Sequence, residues 1–125
     1  MSYDVRVISI SEFLRTDVSG IVDLEASRSL LRNLVATAAR RDVDRVLLDG
    51  RNARAQVSTA DIWTLASDLG ALGVRDHRIA FLLSPPDDDF DRGAFLELCA
   101  TNRGYQLRAF HDFEQAFSWL TAETV

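Results

Sequence analysis

The sequence predicts an α/β domain: a mostly parallel sheet of four to five strands with about four helices, and the N-terminal strand or strands at its edge. Three observations carry this. A short apolar run is followed by an amphipathic stretch three times in succession. Two of the runs, Val46 to Leu48 and Ile79 to Leu83, are apolar at consecutive positions, as in strands covered on both faces. Glycine or proline closes the later units, at Gly70 and Gly73, at Pro85 and Pro86, and at Gly104. With right-handed crossovers, that order packs helices onto a parallel sheet.

Taken in order, Asp4 leads into Val5, Arg6, Val7, Ile8, Ser9 and Ile10, a β-branched and partly alternating first strand. Glu12 to Asp17 offers a second, weaker strand. Val18, Ser19 and Gly20 read as a turn, so the two segments form a hairpin or an irregular edge. Asp23 caps a helix whose buried face holds Leu24, Leu30, Leu31, Leu34, Val35 and Ala38, with Arg40 and Arg41 at the negative end of its dipole. A buried strand follows over Arg45 to Asp49, then a polar loop with Arg51 and Arg54, then a helix starting near Ser58.

That second helix buries Ile62, Leu65, Ala66 and Leu69 and ends at Gly70 and Gly73. Ile79 to Leu83 is the next strand. Asp87, Asp88, Asp89 and Asp91 open the third helix, where their charges complement its dipole and Phe90, Ala94, Phe95 and Leu98 form the expected buried face. Asn102, Arg103 and Gly104 end it. Tyr105 to Phe110 is the last strand, and Phe113, Ala116, Phe117 and Leu120 mark the last helix.

The chain of 125 residues is 47% hydrophobic and 26% charged, a composition that excludes disordered and fibrous classes, and it reads as one domain over residues 1–125. It shows no apolar run long enough to span a membrane and no secretory leader, so a cytoplasmic protein is expected. The net charge of −5 argues against a nucleic-acid partner. All 14 basic residues are arginine, a composition effect before it is a recognition device. The single cysteine, Cys99, cannot form an internal disulfide and falls beside an apolar helix face, where an unreactive buried thiol is expected.

Two groups of residues resemble the STAS domain, the fold of anti-sigma factor antagonists and of the cytoplasmic ends of sulphate transporters. One is Val46-Leu-Leu-Asp49 with Ser58 nine residues after the acid. The other is Asn102-Arg-Gly104, Leu107-Arg-Ala-Phe110, Asp112, Glu114, Ala116 and Trp119-Leu120. The pattern is similar to that of small single-domain bacterial STAS-like proteins, a largely uncharacterised branch.

The resemblance implies a non-enzymatic regulatory or protein-interaction module whose partner, another protein, is met by the loop after Asp49 and the helix start at Ser58. Phosphorylated antagonists carry Asp-Ser-(Ser or Thr)-Gly at this place. Here the residues are Val57-Ser58-Thr59-Ala60, so both hydroxyls of a phosphorylation site remain while the acid and the glycine do not. The fold is also related to that of lipid carriers, which makes a lipid or other apolar ligand between helices and sheet the alternative. Phe81, Phe90, Phe95, Phe110, Phe113 and Phe117 serve that reading and an ordinary core equally.

The candidate binding residues, for a partner or an anion, are Asp49, Arg51, Arg54, Ser58, Thr59 and Ser84. Asp49 and Ser84 end neighbouring strands on the edge where open α/β sheets bind ligands. Each has a structural reading as well. Ser58 with Asp61 makes a capping-box-like pair, and Asp49 can accept backbone amides. No catalytic set, metal site or cofactor is expected, since His77 and His111 fall at opposite edges of a parallel sheet and the acidic run lacks the spacing of a calcium loop. Trp63 lies one position off its helix's buried stripe and is placed at the core edge, while Trp119 packs the last helix down. Homodimerisation through an exposed helix face is compatible with every reading.

Overall fold

A computed structural model describes residues 3–9, 13–84 and 88–122. The chain runs β1 (Tyr3–Ser9), β2 (Leu14–Asp23), α1 (Leu24–Arg40), β3 (Arg45–Gln56), α2 (Thr59–Leu72), β4 (Arg78–Leu82), α3 (Asp88–Asn102), β5 (Gln106–Phe110) and α4 (Phe113–Thr121). The strands lie in sequence order in a five-stranded sheet. β1 is antiparallel to β2, and the other neighbours are parallel. Successive crossovers step the same way along the sheet, and crossovers of one hand then place α1, α2 and α3 on one face.

Alternation along the strands sorts the core between the two faces. Leu14, Val18, Val46 and Leu48 meet α1 through Leu30, Leu34 and Ala38. Ile79 and Leu107 meet α2 and α3 through Leu65, Leu69, Leu96 and Cys99. On the opposite face Leu47, Ala80, Leu82 and Phe110 pack with Phe13 and with Ala116 and Leu120 of α4. Cys99 is buried, as expected.

Three sequence expectations need correction. Val18, Ser19 and Gly20 are not a turn: β2 continues through them to Asp23, with Gly20 at φ 95°. The polar segment after Asp49 is not a loop, because β3 continues to Gln56 by pairing with this longer β2. Its charged residues alternate with small ones and face water, so the stretch lacks the apolar run by which buried strands are recognised. The third correction concerns α3, which buries Gly93, Leu96, Cys99 and Ala100 and leaves Leu98 55% exposed. Two adjacent stripes of α3 are apolar, and the buried one holds Gly93, where an added Cβ would press on the end of the Leu83 side chain and touch Ala109. Ile10, Glu12, Pro85, Pro86 and Asp87 lie outside the described residues, as do the side chains of Asp88 and Asp89.

Candidate functional site

The candidate residues gather around a bulge in β3. Between the pairs Asp17↔Asp49 and Ser19↔Asn52, β2 advances two residues and β3 three. The extra residue reverses the alternation. Leu48 and Gly50 face the three-helix side before the bulge, and Ala53 and Ala55 face it afterwards. Asp49 and Arg51 can therefore both lie on the side away from those helices.

There the side chains form a row of alternating charge. Arg6 reaches Asp17 at 3.2 Å, Arg15 donates to Asp17 at 2.7 Å and to Asp49 at 2.9 Å, and Arg51 donates to both oxygens of Asp49 at 3.0 and 2.8 Å. The Arg51 amide adds a fourth bond to Asp49 at 3.1 Å. Burial pushes the Asp49 carboxyl up, but the hydrogen bonds from Arg51 and the charges of Arg51 and Arg15 outweigh it and hold the group below the usual carboxylate range. The bond to Asp49 in turn raises Arg51. Asp49 is only 8% exposed, so it anchors this row and is not offered to solvent.

Of the six candidates, three meet directly. Ser84 donates its hydroxyl to the Arg51 carbonyl at 3.0 Å and so ties the end of β4 to the bulge, while Arg51 holds Asp49. Arg54 is exposed further along β3, opposite Ile21, and makes no ion pair with a described residue. Ser58 caps α2: its oxygen accepts from the Asp61 amide at 3.1 Å, and the Asp61 carboxylate accepts from the Ser58 amide at 2.9 Å. The expected capping box is complete. Thr59, the first residue of α2, is exposed beside it.

Two features of the site were not read from the sequence. Arg15 and Asp17 belong to the charged row, and their spacing of two within an edge strand was the available signal. The second is the lining of an apolar cavity of about 110 Å³ between the sheet and α1, α2 and α3, the place named for an apolar ligand: Val22, Leu31, Ala53, Ala55, Val57 and Ile62 line it, and of the phenylalanines named for that reading Phe81 does. Small residues at 50, 53, 55 and 93 make this room. Ser27 and Arg92 are its polar lining.

Elsewhere, Trp63 is 50% exposed, packs edge-on against Phe95 at 6.4 Å and lies under the Arg103 guanidinium at 4.9 Å, at the margin of α2 and α3. Trp119 packs at a tilt against Phe110 with ring centroids 5.7 Å apart, and its carbonyl accepts from Arg78 at 3.0 Å, so α4 is fastened to the sheet. His77 precedes β4 and His111 follows β5, at opposite edges of parallel strands. Among the described residues no group of His, Cys, Asp and Glu could hold a metal ion, and no helix is long and apolar enough to cross a membrane.

Several solved structures share this architecture, three of them at 12–14% identity. An anti-sigma factor antagonist from Mycobacterium paratuberculosis is 13% identical, with a TM-score of 0.62 over 97% of this chain and 96% of that one. An uncharacterised protein of the DUF3478 family with a SpoIIAA-like fold, from Shewanella loihica, is 14% identical, with a TM-score of 0.58 over 94% and 93%. The fold is STAS-like. The anti-sigma factor antagonist SpoIIAA in its unphosphorylated form also has it, at 12% identity and a TM-score of 0.54 over 98% of this chain and all of that one. No family model matches the chain, and no curated protein matches it. The likeness is thus one of STAS-like fold, with the sheet, the four helices and the edge hairpin as anticipated.

Proposed function

We propose that this chain is a non-enzymatic regulatory module that binds another protein through the end of β3 and the start of α2. One observation carries the reading. β3 runs from its last pairing with β4, at Asp49, on to Gln56, and presents Asn52, Arg54 and Gln56 exposed on one side, directly before the exposed Ser58, Thr59 and Ala60. A protein partner accords with the similarity in fold to proteins described as anti-sigma factor antagonists. The charged row behind this surface supplies rigidity: Asp49 occupies the Arg51 fork, and Arg54 is the cation left to meet an acidic group.

Phosphorylation fits Thr59 better than Ser58. The Ser58 oxygen already caps the helix, and a phosphate there would stand against the Asp61 carboxylate that closes the box. Thr59 is exposed at the positive end of the dipole. The reading is tested by capture from the chain's own cells with wild-type and Ser58→Asp baits. Aspartate is as good a cap as serine, so the variant folds, and the proposal expects the captured partner to be lost or weakened. Equal capture and unchanged cellular output would remove the site.

The cavity supports a second reading, a carrier of a small apolar ligand. Its 110 Å³ is below the ~150 Å³ of an engineered cavity that binds benzene. A group of a few carbons is the fitting occupant, and a long acyl chain is not. Thermal stabilisation by small hydrocarbons but not by fatty acids is the expected pattern; no shift with either would leave protein binding alone.

A further inference from the structure

The outer edge of the sheet is β1, whose far side pairs with no described strand. Natural edge strands are usually protected by charged side chains, proline or irregular geometry, and charges of one sign also repel a second copy. β1 instead carries Asp4 and Arg6, opposite charges two positions apart and so on one face, with Tyr3, Val5 and Val7 on the other. Val5 and Val7 are each 43% exposed. The Arg6 side chain is 75% exposed even while it touches Asp17.

We propose that β1 is the interface for a second copy of this chain, paired antiparallel about a two-fold axis through Val5. The inference goes beyond the partner site proposed above and does not depend on it. An axis normal to the sheet keeps like faces together, so the pairing centres on a residue. Centring on Val5 sets Asp4 opposite Arg6 of the second copy, and Arg6 opposite its Asp4. On the other face Val5 meets its own copy, and Tyr3 and Val7 exchange contacts. Centring on Arg6 opposes two arginines, and centring on Asp4 opposes two aspartates. Centring on Val7 sets Arg6 against Ile8 and leaves the charges unmatched.

One register therefore satisfies both faces, which is what fixes a strand pairing. Arg6 has donors to spare, since guanidinium carries five N–H groups and one is engaged by Asp17. The result is a continuous ten-stranded sheet with the β3 end and α2 start of each copy left open.

Disulfide trapping reads the register directly. In this pairing the two Val5 Cα atoms stand about 4.5 to 5.5 Å apart, within the span of a disulfide, whereas Val7 faces Tyr3. Mild oxidation should covalently dimerise Val5→Cys and leave Val7→Cys monomeric on non-reducing gels; Cys99 is 3% exposed and should not compete. By sedimentation, Asp4→Arg should weaken the dimer roughly tenfold or more, since two attractive pairs become repulsive. An equimolar mixture of Asp4→Arg and Arg6→Glu should form heterodimers, because the surplus arginines of one variant oppose the surplus acids of the other. A wild-type chain that stays monomeric up to about 0.5 mM, or Val7→Cys crosslinking as readily as Val5→Cys, overturns the proposal.

Discussion

On the face that carries α1, α2 and α3, the strands present Leu14, Val46, Ile79 and Leu107 to three helices, and these residues are at most 3% exposed. On the other face α4, nine residues long, covers Leu47, Ala80 and Leu82, and the sheet beyond it carries the row from Arg6 to Arg51. The first arrangement draws its stability from apolar area removed from water. The second keeps a sheet surface wet by setting each carboxylate between guanidinium groups, which adds little to stability where the groups are exposed. The difference is one of tolerance: polar substitutions disturb the fold least on the face whose polar groups already meet water.

The comparison breaks most visibly under truncation. Leu69→Ala, at a fully buried position of the three-helix side, should cost about 2–5 kcal/mol in denaturant unfolding. Arg6→Ala, at a 75%-exposed side chain of the charged side, should stay within about 0.5 kcal/mol. Similar losses at the two positions would show that the charged row contributes more than its exposure allows.

Asp49 is the point where the two regimes meet, being both buried and charged. Asp49→Asn should cost roughly 1.5–3 kcal/mol, the range for hydrogen bonds to charged groups. The folded-state carboxyl titrates below its ordinary value. Its contribution is therefore complete above the unfolded value near ~3.9 and disappears as pH falls through the lower folded value. Stability measured against pH should separate wild type from Asp49→Asn at neutral pH, and the two curves should converge in acid. A constant gap down to acid pH would mean that Asp49 acts by shape and not by charge.

The strands of the three-helix side were legible because Val46 to Leu48 and Ile79 to Leu83 must be covered on both faces, and α1, α2 and α4 because their buried residues recur at one helical spacing. The end of β3 was not. Arg51, Asn52, Arg54 and Gln56 are polar because they face water from a strand, and a polar strand joined to only one neighbour has the composition of a loop. Gly20 misled for a related reason: a positive φ inside a strand and a positive φ in a turn call for the same residue. Helix α3 offered two apolar stripes, and periodicity does not register which of them meets the sheet; the buried one includes Gly93, beside Leu83 and Ala109. The Ser58 cap was legible because caps are local features, and Ser84 does follow β4, but Asp49, read as a strand end, is only the last residue of β3 to pair with β4. The Arg15 and Asp17 contribution depends on register across two strands, which is not local.

A local change at the helix start is independent of both faces. Ser58→Ala removes the acceptor for the Asp61 amide and leaves Asp61 without its reciprocal partner, so a loss of about 1 kcal/mol is expected. Ser58→Asp replaces the acceptor and should restore most of that stability, less a small repulsion from Asp61. A thermal melt separates the two variants before any binding assay is run. If Ser58→Asp melts with wild type and Ser58→Ala melts lower, a change in partner capture by Ser58→Asp reports charge at the helix start and not a frayed helix. If both variants melt with wild type, the cap is carried by other groups and Ser58 is released to act in recognition alone.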